Sequence, residues 1–267
     1  MNIQADEKFN YGKKIALGVG VRTAKYDNVL LTDADCEPHG KDWISTMASG
    51  FSNGRKIVVG HSPYAFQPGI TNVLERYDST VKTMQYMSFA MAGFPYMGVG
   101  RNLGYTSDLF FSAKGQRRHG ELMSGDDDLF INEVARANNT SVVADPRSFM
   151  TTSPTPDLGT WVRRKRRHYT TAAHYRFVHQ FLLTLLPFAR VTFWAALIVL
   201  AIRGNWVGFA IGLGVELFIL LPITIAAMKR LHAGLLAWFA LPLEWLFLLL
   251  DPLLYTSTIL VKPKRWK

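Results

Sequence analysis

Apolar residues are spread unevenly along the chain: mixed with charge up to about Arg176, then almost continuous to Val261. This pattern predicts a water-soluble domain followed by a membrane region. In the first part, Gly12 to Ala24 carries apolar residues at helical spacing, and a short β-rich run from Val29 to Thr32, bounded by Asn28 and Pro38, reads as a buried strand. A helix over Lys41 to Phe51, a strand over Lys56 to Gly60 and a long helix from about Thr71 to Ala90 follow. Glycine and proline mark Phe94 to Tyr105 as a loop, Leu109 to Ser112 resumes as a strand, and Leu129, Phe130, Val134 and Ala135 form the apolar face of a further helix. Helix leading into strand indicates an α/β class.

In the second part, Phe177 to Ile202, Asn205 to Met228 and Leu235 to Leu260 each reach the ~20 residues that span a bilayer's hydrocarbon core. Arg190, Glu216, Glu244 and Asp251 fall within or near them. Ionisable groups at that depth are paired, face protein or carry function. Pro242 and Pro252 flank two of these groups, so the last segment reads either as a span or as a broken, re-entrant helix. The basic run Arg163-Arg164-Lys165-Arg166-Arg167-His168 places the soluble domain on the cytoplasmic side, and the basic tail 262–267 should share that side. Three full crossings would separate the two clusters, whereas two crossings and a re-entrant segment would not.

The net charge is +10, but the lysines and arginines gather beside the apolar segments, which favours anionic lipid headgroups over nucleic acid as the partner. The single Cys36 excludes an internal disulfide and a cysteine zinc site. His168, His174 and His179 lack the four-residue spacing of a helical metal pair and read as surface or packing residues. Gly18 and Gly20 follow no strand and lack a third glycine, so they do not make a nucleotide-binding loop.

Candidate chemistry lies in three places. Asp33 and Asp35 stand one residue apart where the strand at Val29 ends, the position at which open α/β sheets bind ligands. Mg²⁺ or Mn²⁺ takes one or two such carboxylates and completes its shell with phosphate and water; an aspartate-rich turn is the alternative. Asp126, Asp127 and Asp128 open the helix that follows Gly125. One aspartate suffices as a cap, whereas three repel one another and favour a general base. The basic run after Trp161 is either a lipid-facing flank or a set of guanidinium forks for phosphate oxygens. The loop from Phe94 to Tyr105, with Gly100, Arg101 and Asn102, suits carbohydrate or headgroup contact, or packs as an ordinary loop.

In this order the motifs resemble those of the family 2 membrane glycosyltransferases, the group that includes ceramide glucosyltransferase and cellulose synthase. The matching residues are Asp33 and Asp35, Gly125 to Leu129, and Arg164 to His168. The resemblance implies a GT-A domain over residues 1–160, incomplete at its N-terminus, a basic juxtamembrane segment over 161–176, two or three transmembrane helices over 177–261 and a basic tail over 262–267. It further implies a nucleotide-sugar donor, a membrane-associated lipid or glycan acceptor, a bacterial-type inner membrane location and single-step inversion. By the same resemblance, Asp33 and Asp35 hold the metal, Asp33 also meets the nucleotide diphosphate, and Arg164, Arg167 and His168 bind that diphosphate. Asp126 supplies the base with Asp127 as fallback, and Gly100, Arg101 and Asn102 meet the acceptor.

The departures from the family pattern are specific. Gly125 stands where a glutamate is usual and His168 where a tryptophan is usual. Met1 precedes Asp33 by only 32 residues, so the strand and acidic residue that hold the nucleoside base are expected to be missing. The rival readings are a catalytically incomplete fragment acting as a membrane-bound interaction module, and a metal-dependent phosphotransferase.

Overall fold

The computed structural model describes residues 12–112 and 127–261, with side chains from residue 16 onward. The described residues fall into two compact units, those of 1–65 with 85–153 and those of 66–84 with 154–263.

The first unit is mixed α/β. Helix α1 (Gly12–Thr23) precedes β1 (Asn28–Leu31), β2 (Cys36–Pro38), α2 (Trp43–Ala48), a 3₁₀ stretch (Ser49–Gly54) and β3 (Ile57–Val59). Helix α3 (Ile70–Met91) contributes its last turns here, followed by β4 (Leu103–Thr106), α4 (Ser107–Ser112), α5 (Asp128–Val134), β5 (Thr140–Val142) and β6 (Met150–Thr152). The main sheet has the order β1-β4-β3-β5, in which β4 runs antiparallel to β1 and β3 while β3 and β5 are parallel. Strand β3 is interior because Ile57, Val58 and Val59 are apolar on both faces and fully buried. Strand β2 pairs with β6, with Cys36 opposite Thr152.

The strand expected at Leu109 to Ser112 is instead helix α4, and the strand lies earlier, at Leu103–Thr106, inside the expected loop. Gly104 explains the displacement. A Cβ there would stand 2.8 Å from Leu30 Cδ2 and 3.0 Å from Phe51 Cζ, so the glycine that looked like a loop signal permits close strand packing. Tyr105, Phe110 and Phe130 then build an aromatic core, with Tyr105 stacked on Phe110 at 5.4 Å and edge-on to Phe130 at 5.0 Å.

The second unit joins the first four turns of α3 to α6 (Leu158–Ala172), α7 (Phe177–Ile202), α8 (Trp206–Val215), a π-helical turn (Glu216–Leu220), α9 (Leu221–Arg230), a 3₁₀ turn (Gly234–Phe239) and α10 (Ala240–Leu260). Among the described residues three stretches, Phe177–Ile202, Trp206–Arg230 and Gly234–Leu260, are long and apolar enough to cross a membrane. The third differs from the others, being 28% buried against 6% for each of them. Its inner face packs on α3 and α6 through Tyr77, Trp161, Ala240 and Phe247. Three ionisable groups of the apolar helices pair with one another: Arg190 of α7 donates to Glu216 at 2.8 and 3.0 Å and to Glu244 at 2.8 Å.

Helix α6 carries the whole basic run, and three consecutive residues fasten it. Arg164 donates to Glu75 at 3.0 Å, Lys165 bridges Asp78 at 2.6 Å and Asp251 at 2.9 Å, and Arg166 donates to the Ser257 carbonyl at 2.9 Å. Burial alone would raise the Asp78 carboxyl, but Lys165 and Lys82 outweigh it and hold the group below the usual carboxylate range. Lys165→Met, which leaves two carboxylates facing each other, is expected to destabilise the protein by about 3 kcal/mol, the low end for breaking a buried pair because Asp251 is 37% exposed. Thermal unfolding in detergent reads this as a lower Tm. Because the Asp78 pKa is depressed, its contribution is complete above an unfolded value of about 3.9 and is lost as the pH falls through the lowered folded value.

Candidate active site

Strand β1 delivers the chain into a β-turn in which the Cys36 N–H donates to the Asp33 carbonyl at 3.1 Å. Asp33 is half-buried and Asp35, at the turn's tip, is exposed. The Ser153 N–H donates to the Asp35 carbonyl at 3.0 Å, which ties the turn to the chain leaving β6. Beside it, the Cys36 thiol lies 3.7 Å from Asp35 Oδ1 and 3.4 Å from Thr152 Oγ1.

The loop before β4 faces this turn. The Arg101 guanidinium lies 4.4 Å over the Tyr64 ring. Burial by itself would weaken its charge, yet the acidic groups of Tyr64, Cys36, Tyr86 and Asp33 around it raise its pKa above the ordinary value. One residue earlier, the Gly100 N–H donates to Asp127 Oδ2 at 2.8 Å. The other oxygen, Asp127 Oδ1, accepts the Asp128 N–H at 2.8 Å, so Asp127 caps α5 while gripping the loop. A Cβ on residue 100 would meet Asp127 Oδ2 at 3.3 Å. This short turn thus binds Asp127 directly through Gly100, and its Arg101 is stabilised by the surrounding acidic groups, Asp33 the weakest of those named. Asp126 lies outside the described residues.

Asn102 holds this turn in place. Expected to meet the acceptor, its side chain is instead 1% exposed and occupied within the unit. Its Nδ2 donates to the His61 and Ser148 carbonyls, both at 2.7 Å, and its Oδ1 accepts from Trp43 Nε1 at 3.1 Å. Gly60 leaves room for it, since a Cβ there would lie 2.6 Å from Asn102 Nδ2. Gly100 and Arg101 remain the acceptor-facing candidates of this loop.

Among the described residues no group of three or more His, Cys, Asp or Glu converges to cage a metal. The pair Asp33 and Asp35 nevertheless fits a divalent cation of the hard-oxygen type, which draws the rest of its shell from a bound diphosphate and water. Of the basic motif, Arg164, Arg167 and His168 belong to the second unit. Arg164 is held by Glu75, whose other oxygen accepts the Thr155 N–H at 2.9 Å; Arg167 is half-buried and His168 exposed. Sequence reasoning missed Tyr64 and Glu75. For Glu75 a signal existed, an acidic residue on the apolar face of a helix beside Leu74; for Tyr64 none did.

Asn102→Ala would strip partners from a half-buried indole N–H and two buried carbonyls, the latter costing about 1–3 kcal/mol each. A fall in Tm well beyond that of a surface substitution is expected, and Gly60→Ala should lower Tm in the same direction by displacing the same amide.

No protein-family model matches the chain, and no curated protein matches it. Among solved structures it is similar to the mannosyltransferase PcManGT from Pyrobaculum calidifontis in complex with GDP-Man and Mn²⁺, at 17% identity and a TM-score of 0.44, over 86% of this chain. The chain spans 66% of the length of that protein.

Proposed function

We propose that the chain is a metal-dependent glycosyltransferase of the membrane family 2 type, moving a sugar from a nucleotide-diphosphate donor to a hydroxyl of a membrane-associated lipid or glycan. The observation that carries this reading is the Gly100–Arg101 turn, whose Gly100 N–H binds Asp127 of the acidic motif while its Arg101 guanidinium lies in the electrostatic field of Asp33. The order of the three motifs along the chain supports it, and three apolar stretches long enough to cross a membrane accord with an acceptor dissolved in lipid.

Asp33 and Asp35 are the residues to hold Mg²⁺ or Mn²⁺, which when bound supplies positive charge to the departing diphosphate. The family resemblance gives Arg164, Arg167 and His168 of the second unit the role of hydrogen-bond donors to a diphosphate. Asp126 takes the proton of the acceptor hydroxyl as its oxygen attacks the anomeric carbon, and the diphosphate leaves from the opposite face in one inverting step. Asp127, the fallback base, has each oxygen already accepting a backbone N–H and so caps α5 while holding the acceptor loop. Gly100 and Arg101 present a backbone surface and a fixed cation to the acceptor. The catalytic unit faces the cytoplasm, on the side set by the basic run of α6.

Transfer and donor hydrolysis by the full chain in lipid nanodiscs, over a panel of nucleotide sugars, test this reading. Asp35→Asn and Asp126→Asn are each expected to lower the rate by roughly 10²–10⁴-fold with folding intact, and a chelator should abolish activity until Mn²⁺ or Mg²⁺ is restored. Activity that survives both substitutions overturns the mechanism; a wild type that neither binds nor cleaves any donor identifies a non-catalytic interaction module.

A further inference from the structure

The segment leading into α3 carries two large apolar side chains that the proposed chemistry does not use. Phe66 is 76% exposed and Ile70 63% exposed, although neither belongs to the three apolar stretches. They are held outward by a built turn. Gly69 has φ +122°, a conformation that favours glycine, and the Gln67 N–H donates to Asn72 Oδ1 at 2.9 Å.

The same unit places this segment beside the connection between α9 and α10. Arg76 lies 5.6 Å over the Phe66 ring and donates to the Ala233 carbonyl at 3.3 Å. On that connection Leu235, Trp238 and Phe239 are also exposed, at 79%, 62% and 59%. Lys229 lies 4.1 Å over the Trp238 ring, and Arg230 ends α9 beside it.

We infer that Phe66 and Ile70, together with Leu235, Trp238 and Phe239, form a wedge that inserts into the headgroup layer of an anionic bilayer, making the start of α3 a further membrane contact outside the apolar helices. Three features on this surface select lipid as its occupant. It is continuous with a stretch apolar enough to cross a membrane. It combines aromatic rings with Arg76, Lys229 and Arg230, the composition that suits an interface where apolar bodies meet lipid phosphates. Its cations lie over the rings, so charge and apolar surface share one depth.

The experiment places one environment-sensitive fluorophore at Phe66→Cys, and separately at Trp238→Cys, in a Cys36→Ser background of the full chain reconstituted in phosphatidylcholine and phosphatidylglycerol vesicles. Lipids with nitroxides near the headgroup should quench both labels several-fold more than lipids with nitroxides near the acyl end, and aqueous iodide should quench them weakly. Lack of lipid quenching at position 66 overturns the inference, whether iodide reaches the label or protein covers it, and quenching at 238 with an aqueous signature at 66 overturns it equally. Both side chains are exposed, so the substitutions leave the packed core untouched.

Discussion

The carboxamide of Asn102 joins three separate stretches of chain, the helix carrying Trp43, the segment after β3 and the 3₁₀ turn before β6. Its own backbone adds two further bonds, from Asn102 N–H to the Val99 carbonyl and from Gly60 N–H to the Asn102 carbonyl, both at 3.0 Å. A buried amide with every partner satisfied fixes a unique arrangement, because any other leaves polar groups stranded. Gly100 and Arg101 directly precede it, so this knot sets where they stand, and their own contacts to Asp127 and Tyr64 then complete the turn.

The second unit is organised by charge in a different way. Lys165 is 3% exposed yet bears its charge between Asp78 and Asp251 and 4.8 Å from the Phe247 ring. Burial would lower its pKa, but the two carboxylates reverse the sign and raise it. A residue that looked like one of six solvated basic side chains is the pivot of the helix packing, while Arg163 on the same helix stays exposed. Arg190 repeats the solution among the apolar helices, where the adjacent π-helical turn begins at its partner Glu216.

The elements with strong patterns were legible. The long helix α3, the strand at β1, the strand at β3 and the three apolar stretches all follow from spacing and length. Strands β2, β5 and β6, of three residues each, are too short for any period to register. Strand β4 was hidden by Gly104, whose role is a close approach that only the fold reveals. At the site, the aspartates could be named because their residue type is itself chemistry, and Asn102 was singled out as well, with its structural task concealed. Tyr64 acts through a contact across many intervening residues that no local pattern encodes, whereas Glu75 had a local signal beside Leu74 but its partner Arg164, 89 residues on, did not.

Helices α6 and α10 run side by side in the same direction, touching from Trp161 and Phe247, through Lys165 and Asp251, to Tyr169 and Tyr255. Beyond that, Arg166 grasps carbonyls at the far end of α10. One flank of α10 is therefore fixed to a charged helix while the other presents Leu249, Leu253 and Leu260 outward. Because Arg164 lies on α6 beside the two residues that grip α10, a displacement of α10 would be passed through Lys165 and Arg166 to Arg164.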